Sequence, residues 1–269
     1  MSDNLVHTVC VGSVEMDYAC IGSGPKPLIV IPGLSIKSIV KSAASLEGPF
    51  KIFKEKYTLY FFDRKKDAKP GYSLPEMAED QVAALKAIGI EKADVYGVSQ
   101  GGMIAQYMAI AHPEIVGKLV LGSSTSKAEP LQLKTISNWA RLARARETSA
   151  FVNAFIDDCF TESFVARYRR ALLALYKEIS DEELDRFAIF ADACDYVDTY
   201  NDLGKIKGPV LVLGAGKDHV TTPEASVKLA EKLKAEGVSC EFYMYEDRGH
   251  AVFDELPDYK NRIFDFLEK

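Results

Sequence analysis

Val95-Tyr96-Gly97-Val98-Ser99-Gln100-Gly101-Gly102-Met103 decides the fold. The apolar run from Asp94 to Val98 reads as a strand, the chain breaks at Gly-Val-Ser-Gln-Gly, and a helical pattern runs from Met103 to about Ala111. Ser99 therefore falls where a strand turns sharply into a helix. Gly97 and Gly101 flank it at two residues on each side. Lacking Cβ, they are expected to take the bend through φ values that other residues avoid. Such a turn lifts the serine hydroxyl above the sheet as a nucleophile. The helix N-terminus beside it suits a developing oxyanion. Gly is about 7% of residues, so Gly-x-Ser-x-Gly arises at roughly 0.5% of serines by accident. The strand before and the helix after thus carry as much weight as the motif.

Outward from this turn, strand-like and helical runs alternate. Ser13 to Ala19 reads as a strand followed by the turn Gly22-Ser23-Gly24-Pro25. Pro27 to Ile31 and Tyr57 to Phe62 are continuous apolar runs, closed by Pro32-Gly33 and Asp63-Arg64. Met77 to Ile88 has helical spacing and stops at Gly89. Val116 to Leu121, Val210 to Leu213 and Cys240 to Tyr245 read as strands, and Glu224 to Ala235 and Tyr259 to Glu268 as helices. Thr221-Thr222-Pro223 supplies an N-cap and a first-turn proline. Buried runs alternating with helices predict an α/β architecture, a mostly parallel sheet covered on both faces.

From about Glu129 to Tyr200 the strand-like runs vanish and helix formers dominate. This predicts a core domain of residues 1-128 and 201-269 and an inserted helical cap at 129-200. The cap is rich in aromatics, among them Trp139, Phe151, Phe155, Phe160, Phe164 and Tyr168, at spacings that include three and four residues. Most should pack as ordinary core. A cap over a catalytic edge must leave a cavity, and Trp139, Phe155 and Phe160 are candidates to line it.

Composition narrows the function. The chain has 269 residues, 48% of them hydrophobic and 27% charged, with a net charge of -6. That suits a globular protein and argues against a nucleic-acid surface. Arg141, Arg144 and Arg146, and the cluster Arg167, Arg169 and Arg170, read as solvated helix faces. No run of about 18 apolar residues could span a membrane, and Met1-Ser2-Asp3-Asn4 lacks the character of a signal peptide. Five scattered cysteines with no C-x-x-C pair argue against zinc and redox motifs and fit a reducing cytoplasm.

A serine hydroxyl needs a base to become a nucleophile. His7 is expected to precede the sheet, His112 to sit at the far end of the helix after Ser99, and His219 to follow an acid in a loop. His250 follows the last strand. In a parallel sheet the loops after the strand C-termini share one edge, so His250 and Ser99 come to the same side. The carboxylate that orients the imidazole must lie there too. Asp218, in Gly214-Ala215-Gly216-Lys217-Asp218 after a strand, qualifies; Gly122-Ser123-Ser124-Thr125, after the preceding strand, holds no acid. Asp192, Asp195 and Asp198 in the cap read as solvated. The oxyanion hole requires two backbone N–H groups, expected from Gln100 and from Leu34 in Pro32-Gly33-Leu34-Ser35.

The order Ser99, Asp218, His250 with an elbow and a helical insertion resembles the α/β-hydrolase superfamily over nearly the whole chain. The likeness is carried by Gly97-Val-Ser-Gln-Gly-Gly-Met-Ile-Ala, by Ala111-His-Pro-Glu-Ile-Val-Gly-Lys-Leu-Val-Leu, by Lys217-Asp-His-Val-Thr-Thr-Pro-Glu and by Gly249-His250. It implies an α/β-hydrolase fold with an eight-stranded sheet, a cap after the sixth strand and no cofactor. Pro32-Gly33 stands where many relatives carry His-Gly, and Asp63-Arg64-Lys65-Lys66 keeps only part of the Asp-x-Arg-Gly common there. The reading is a cytoplasmic serine hydrolase that cleaves a small or medium ester, lactone or thioester through an acyl-enzyme. Its rivals are carbon–carbon bond hydrolysis or acyl transfer on the same triad, and a ligand receptor on a hydrolase fold with slow residual turnover. The substrate and oligomeric state are left open by the sequence.

Overall fold

The computed structural model describes residues 5–269; the polar start Met1-Ser2-Asp3-Asn4 lies outside the described residues. The strands are β1 (Val6–Val11), β2 (Val14–Ile21), β3 (Lys26–Ile31), β4 (Tyr57–Phe62), β5 (Ala93–Val98), β6 (Val116–Gly122), β7 (Val210–Ala215) and β8 (Cys240–Tyr245). They form one eight-stranded sheet in the order β1-β2-β4-β3-β5-β6-β7-β8. β1 pairs with β2 and β2 with β4 in antiparallel sense, while β4, β3, β5, β6, β7 and β8 run parallel. Central strands of such a sheet are covered on both faces and must be apolar throughout. β7 accordingly is buried at every position, whereas the edge strand β8 alternates.

β1 corrects the expectation for His7. The residue lies inside the sheet, opposite Tyr18, and its exposed ring packs 5.2 Å from that of Tyr18. A hairpin joins β1 to β2, and Gly12 turns it at φ 58°, a conformation open to glycine. The polar residues scattered along this edge strand hide it from an apolar-run reading.

The helices are α1 (Ala43–Leu46), α2 (Leu74–Ala87), α3 (Gln100–Ala111), α4 (Pro130–Arg144), α5 (Thr148–Cys159), α6 (Glu162–Leu175), α7 (Asp181–Ala193), α8 (Pro223–Ala235), α9 (Val252–Glu255) and α10 (Pro257–Leu267). α2 begins earlier than its apolar spacing suggests, because Ser73 and Glu76 form a reciprocal capping box. α3 starts at Gln100, directly after Ser99, rather than at Met103. α8 starts as its cap predicts, the Thr222 hydroxyl accepting from the Ala225 N–H.

Successive residues of β3 point to opposite sides and separate the core into two clusters. Ile29 and Ile31 join the side that holds α2 and α3, and Leu28 and Val30 join the side that holds Phe53, Tyr57 and the α10 residues Tyr259 and Phe266. The run of helices α4 to α7 enters between β6 and β7, and the irregular stretch after it extends to Lys205. Trp139, Phe151 and Phe187 of this insertion belong to the same buried cluster as Met103 and Leu119, so the insertion is packed continuously onto the sheet layer.

The arginines at 141, 144 and 146 lie on the surface and pair with Glu147, Asp192 and Asp185. Exposed pairs of this kind contribute about 0–1 kcal/mol each. Among the described residues no helix is long and apolar enough to cross a membrane.

Candidate active site

Ser99 occupies the turn between β5 and α3 with φ 53° and ψ −121°. The expectation that Gly97 and Gly101 would carry the unusual φ is incorrect: the serine carries it, and neither glycine is among the positive-φ residues. The glycines serve close approach instead. A Cβ on Gly97 would sit 2.4 Å from the Gly101 carbonyl oxygen, and one on Gly101 would sit 2.0 Å from that of Ile31. The strand, the turn and the helix therefore interlock backbone to backbone. The strained conformation persists because its surroundings fix it. The Ser99 N–H donates to the Gly122 carbonyl at 2.8 Å, and its own carbonyl accepts from Gly102 N–H at 2.9 Å, Met103 N–H at 3.1 Å and Ser124 Oγ at 2.9 Å.

His250 and Asp218 reach Ser99 from the loops after β8 and β7. His250 Nε2 lies 3.0 Å from Ser99 Oγ, and His250 Nδ1 lies 2.8 Å from Asp218 Oδ2. The ionised carboxylate only accepts, so the ring proton belongs on Nδ1 and Nε2 accepts from the serine hydroxyl. All three side chains are nearly enclosed, at 7%, 4% and 3% exposure for Ser99, His250 and Asp218. Burial alone would push the Asp218 carboxyl up. The neighbouring His250 and the donors Val220 N–H and Thr221 outweigh that and hold it below the ordinary value. Oδ1 accepts from Val220 N–H at 2.7 Å and Thr221 N–H at 2.9 Å, and Oδ2 also accepts from Thr221 Oγ1 at 2.9 Å. The sequence shows Thr221 only as part of a helix cap; its role at the carboxylate comes from the three-residue loop spacing.

The other histidines stay apart. His112 is bound to Glu79 at the far end of α3, and His219 is exposed. Asp192 is held by Arg144 at the surface. Among the described residues no group of His, Cys, Asp and Glu side chains is arranged to hold a metal ion.

Among the described residues neither the Leu34 nor the Gln100 N–H donates to a protein acceptor, and Leu34 lines the same cavity as Ser99. The loop approaches closely: a Cβ on Gly33 would sit 3.1 Å from Ser99 Cβ. Arg64, buried at the end of β4, holds this arrangement. Its Nη2 donates to the Pro32 carbonyl at 2.7 Å and to Gln100 Oε1 at 3.2 Å. Gln100 Nε2 in turn donates to the Phe190 carbonyl of α7 at 2.6 Å. Arg186 of α7 closes the circuit with bonds to Asp63 Oδ1 at 2.9 Å and to the Arg64 carbonyl at 3.0 Å. The sequence shows Asp63-Arg64 only as the close of a strand; the network depends on an insertion residue 122 positions away.

A cavity of about 370 Å³ opens on Ser99 and His250. Leu34, Trp139, Phe155 and Phe160 line it, together with Tyr176. The remaining aromatics of the insertion pack elsewhere, Phe151 edge-on against Phe187 at 4.7 Å and Phe164 against Tyr168 at 4.6 Å. The insertion is also tied to the histidine loop, where the Ala251 N–H donates to the Cys159 carbonyl at 2.9 Å.

A parallel sheet with a serine at its central strand–helix turn, and an acid and a histidine on later loops, has the layout of an α/β hydrolase. The chain belongs to the alpha/beta hydrolase fold family, which it matches over residues 58–257. It is 22% identical over 220 residues to 3-oxoadipate enol-lactonase 2 of Acinetobacter baylyi, covering 80% of each chain. It is 25% identical over 182 residues to 2-hydroxymuconate semialdehyde hydrolase of Pseudomonas putida, covering 64% of this chain and 61% of that one. The crystal structure of the enol-lactonase from Burkholderia xenovorans superposes with a TM-score of 0.84 at 18% identity, over 98% of this chain and all of the other.

Proposed function

We propose that this protein is a serine hydrolase that cleaves a small or medium carboxylic ester or lactone. The observation that carries the reading is the continuous chain Asp218–His250–Ser99, at 2.8 Å and 3.0 Å, opening into a cavity of about 370 Å³. Ser99 Oγ attacks the acyl carbon while His250 Nε2 takes its proton, and Asp218 stabilises the imidazolium. The carbonyl oxygen, now an anion, is met by the Leu34 and Gln100 N–H groups and by the N-terminus of α3. His250 returns the proton to the departing alkoxide. Water then attacks the acyl-enzyme with His250 again as base, releasing the acid and restoring the serine.

The insertion over 129–200 acts in this reading as the cap that shapes the pocket, with Trp139, Phe155 and Phe160 as its substrate-contacting residues. The enol-lactonase among the relatives supports a lactone or ester as substrate, and the mainly apolar lining suits an apolar acyl or alcohol part. A second reading, hydrolysis of a carbon–carbon bond on the same residues, is favoured by the likeness to 2-hydroxymuconate semialdehyde hydrolase. The five free thiols fit a reducing cytoplasm. A fluorophosphonate probe tests the core of the proposal. The protein should be labelled stoichiometrically and lose p-nitrophenyl ester hydrolysis in step, and Ser99→Ala should abolish both. Labelling that survives in Ser99→Ala would place the nucleophile elsewhere.

A further inference from the structure

The cavity beside Ser99 is not apolar throughout. Its wall toward α9 and α10 carries two charged side chains, Asp254 and Lys260, for which the triad has no use. Lys260 is only 8% exposed, and among the described residues its Nζ makes no hydrogen bond or ion pair. It rests over two rings, 5.7 Å from the centre of Phe50 and 5.9 Å from that of Tyr259. Asp254 lies four residues past His250, and among the described residues its carboxylate accepts no hydrogen bond. Asp254 is itself exposed and lines the same cavity as Lys260. Burial pushes its carboxyl up and pushes the Lys260 ammonium down, and each charge partly offsets the effect on the other.

A buried charge without a hydrogen-bond partner, such as that of Lys260, is costly and is ordinarily satisfied or replaced. Here a donor and an acceptor both line one cavity, with apolar walls from Phe50, Val98, Trp139 and Phe155. An anion placed there would be attracted by Lys260 and repelled by Asp254; a cation would meet the reverse. A neutral group that both accepts and donates satisfies the two at once and adds no charge to the interior. We propose that Asp254 and Lys260 form a polar subsite that receives a neutral donor–acceptor group, such as a carboxamide or hydroxyl, on an otherwise apolar substrate. This names the substrate class of the site and rests on the reading of Ser99 as its nucleophile.

Calorimetric titration of the Ser99→Ala protein at neutral pH, with hexanamide, hexanoate and hexylammonium in turn, tests the subsite without requiring turnover. The three probes share a tail and differ only in the charge of the head. Hexanamide should bind about tenfold more tightly than either ion, the size of one hydrogen bond to a charged partner. Near-isosteric neutralisation should then change the order in opposite directions. Asp254→Asn leaves Lys260 unmatched and should raise hexanoate affinity about tenfold or more; Lys260→Gln leaves Asp254 unmatched and should do the same for hexylammonium. An ion preferred by the unaltered pair overturns the proposal. So does an order that neither substitution changes, or the binding of none of the three. Ester hydrolysis by the unsubstituted protein is read separately. Its absence alongside the expected binding order would sink the reading of Ser99 and leave the subsite standing; turnover with the wrong binding order would do the opposite.

Discussion

Replacing Gly101 by alanine should reverse the usual effect of that substitution in a helix. Gly101 lies in the first turn of α3, and glycine-to-alanine inside a helix ordinarily gains up to about 1 kcal/mol. The new Cβ, however, would stand 2.0 Å from the Ile31 carbonyl oxygen and 2.5 Å from that of Pro32. Real contacts of this kind do not fall under 3.0 Å, so the backbone at the end of β3 must retreat by roughly 1 Å. Overpacking costs about 1–3 kcal/mol, and here it falls on strand backbone that cannot rotate aside. The net expectation is a loss of about 1–2 kcal/mol, or several degrees in Tm for a chain of this size. The residues displaced precede Leu34, whose N–H faces the oxyanion in the proposed mechanism. A misplacement of about 1 Å can cost on the order of a hundredfold in rate, so kcat should fall by that order while KM changes little. Calorimetry and steady-state ester hydrolysis measure both effects. Gly48→Ala is the control, since a Cβ there has no neighbour within 4 Å, and it should stay within about 0.5 kcal/mol of the parent. A Gly101→Ala protein as stable as the parent and within twofold of its activity would refute the interlocking of strand and helix as the reason for the glycine.

His250→Ala should be about as damaging to kcat as Ser99→Ala, whereas Asp218→Asn should cost on the order of 10⁴ or somewhat less, because groups acting as a unit lose activity non-additively; severe loss in His219→Ala with a mild His250→Ala would refute the assignment. Arg64→Met removes the bonds to the Pro32 carbonyl and Gln100 Oε1 and should lower kcat roughly tenfold to a hundredfold with little change in KM, with Arg64→Lys partly restoring it; a pure KM effect would speak against positioning. For p-nitrophenyl esters, kcat/KM should rise from acetate to butyrate by roughly threefold to fourfold per methylene, at about 0.8 kcal/mol per buried CH₂, then fall as the acyl chain outgrows the cavity; a flat profile would oppose an apolar pocket. Glu268 is held down to about 2 by hydrogen bonds from Lys56, Lys26 and Tyr57. Its folded pKa is depressed, so its contribution is present above about pH 4.3, the ordinary value, and is lost as pH falls toward 2. The Tm difference between the parent and Glu268→Gln should therefore shrink across that window, and a difference that widened would reverse the sign.

The elements around Ser99 are legible because each carries a local mark. A continuous apolar run, a paired glycine and the order of strand-end loops are enough to place Ser99, Asp218 and His250 on one side of a parallel sheet. β1 is not legible, since an edge strand with one wet face need not be apolar. The glycines mislead, because a motif records only where Cβ is missing, and strain at Ser99 and crowding at Gly101 leave the same letters. The Arg64–Gln100–Phe190 circuit and the placement of Asp254 and Lys260 on one cavity wall lie beyond reach for another reason. Each depends on how the insertion or the last helix packs, and no periodicity within either segment encodes that packing.

Two of the insertion's fastenings lie beside Ser99 and His250 and limit how freely it can be exchanged. The Phe190 carbonyl receives the side chain of the residue after Ser99, and the Cys159 carbonyl receives the N–H of the residue after His250. A chimera that grafts a relative's helices between β6 and β7 must bring a carbonyl to each of these points, whatever its side chains. Otherwise the transplant leaves two buried donors beside Ser99 and His250 without acceptors. Diversification of this pocket is thus easiest by changing side chains on α4, α5 and α6, and hardest by replacing the segment whole.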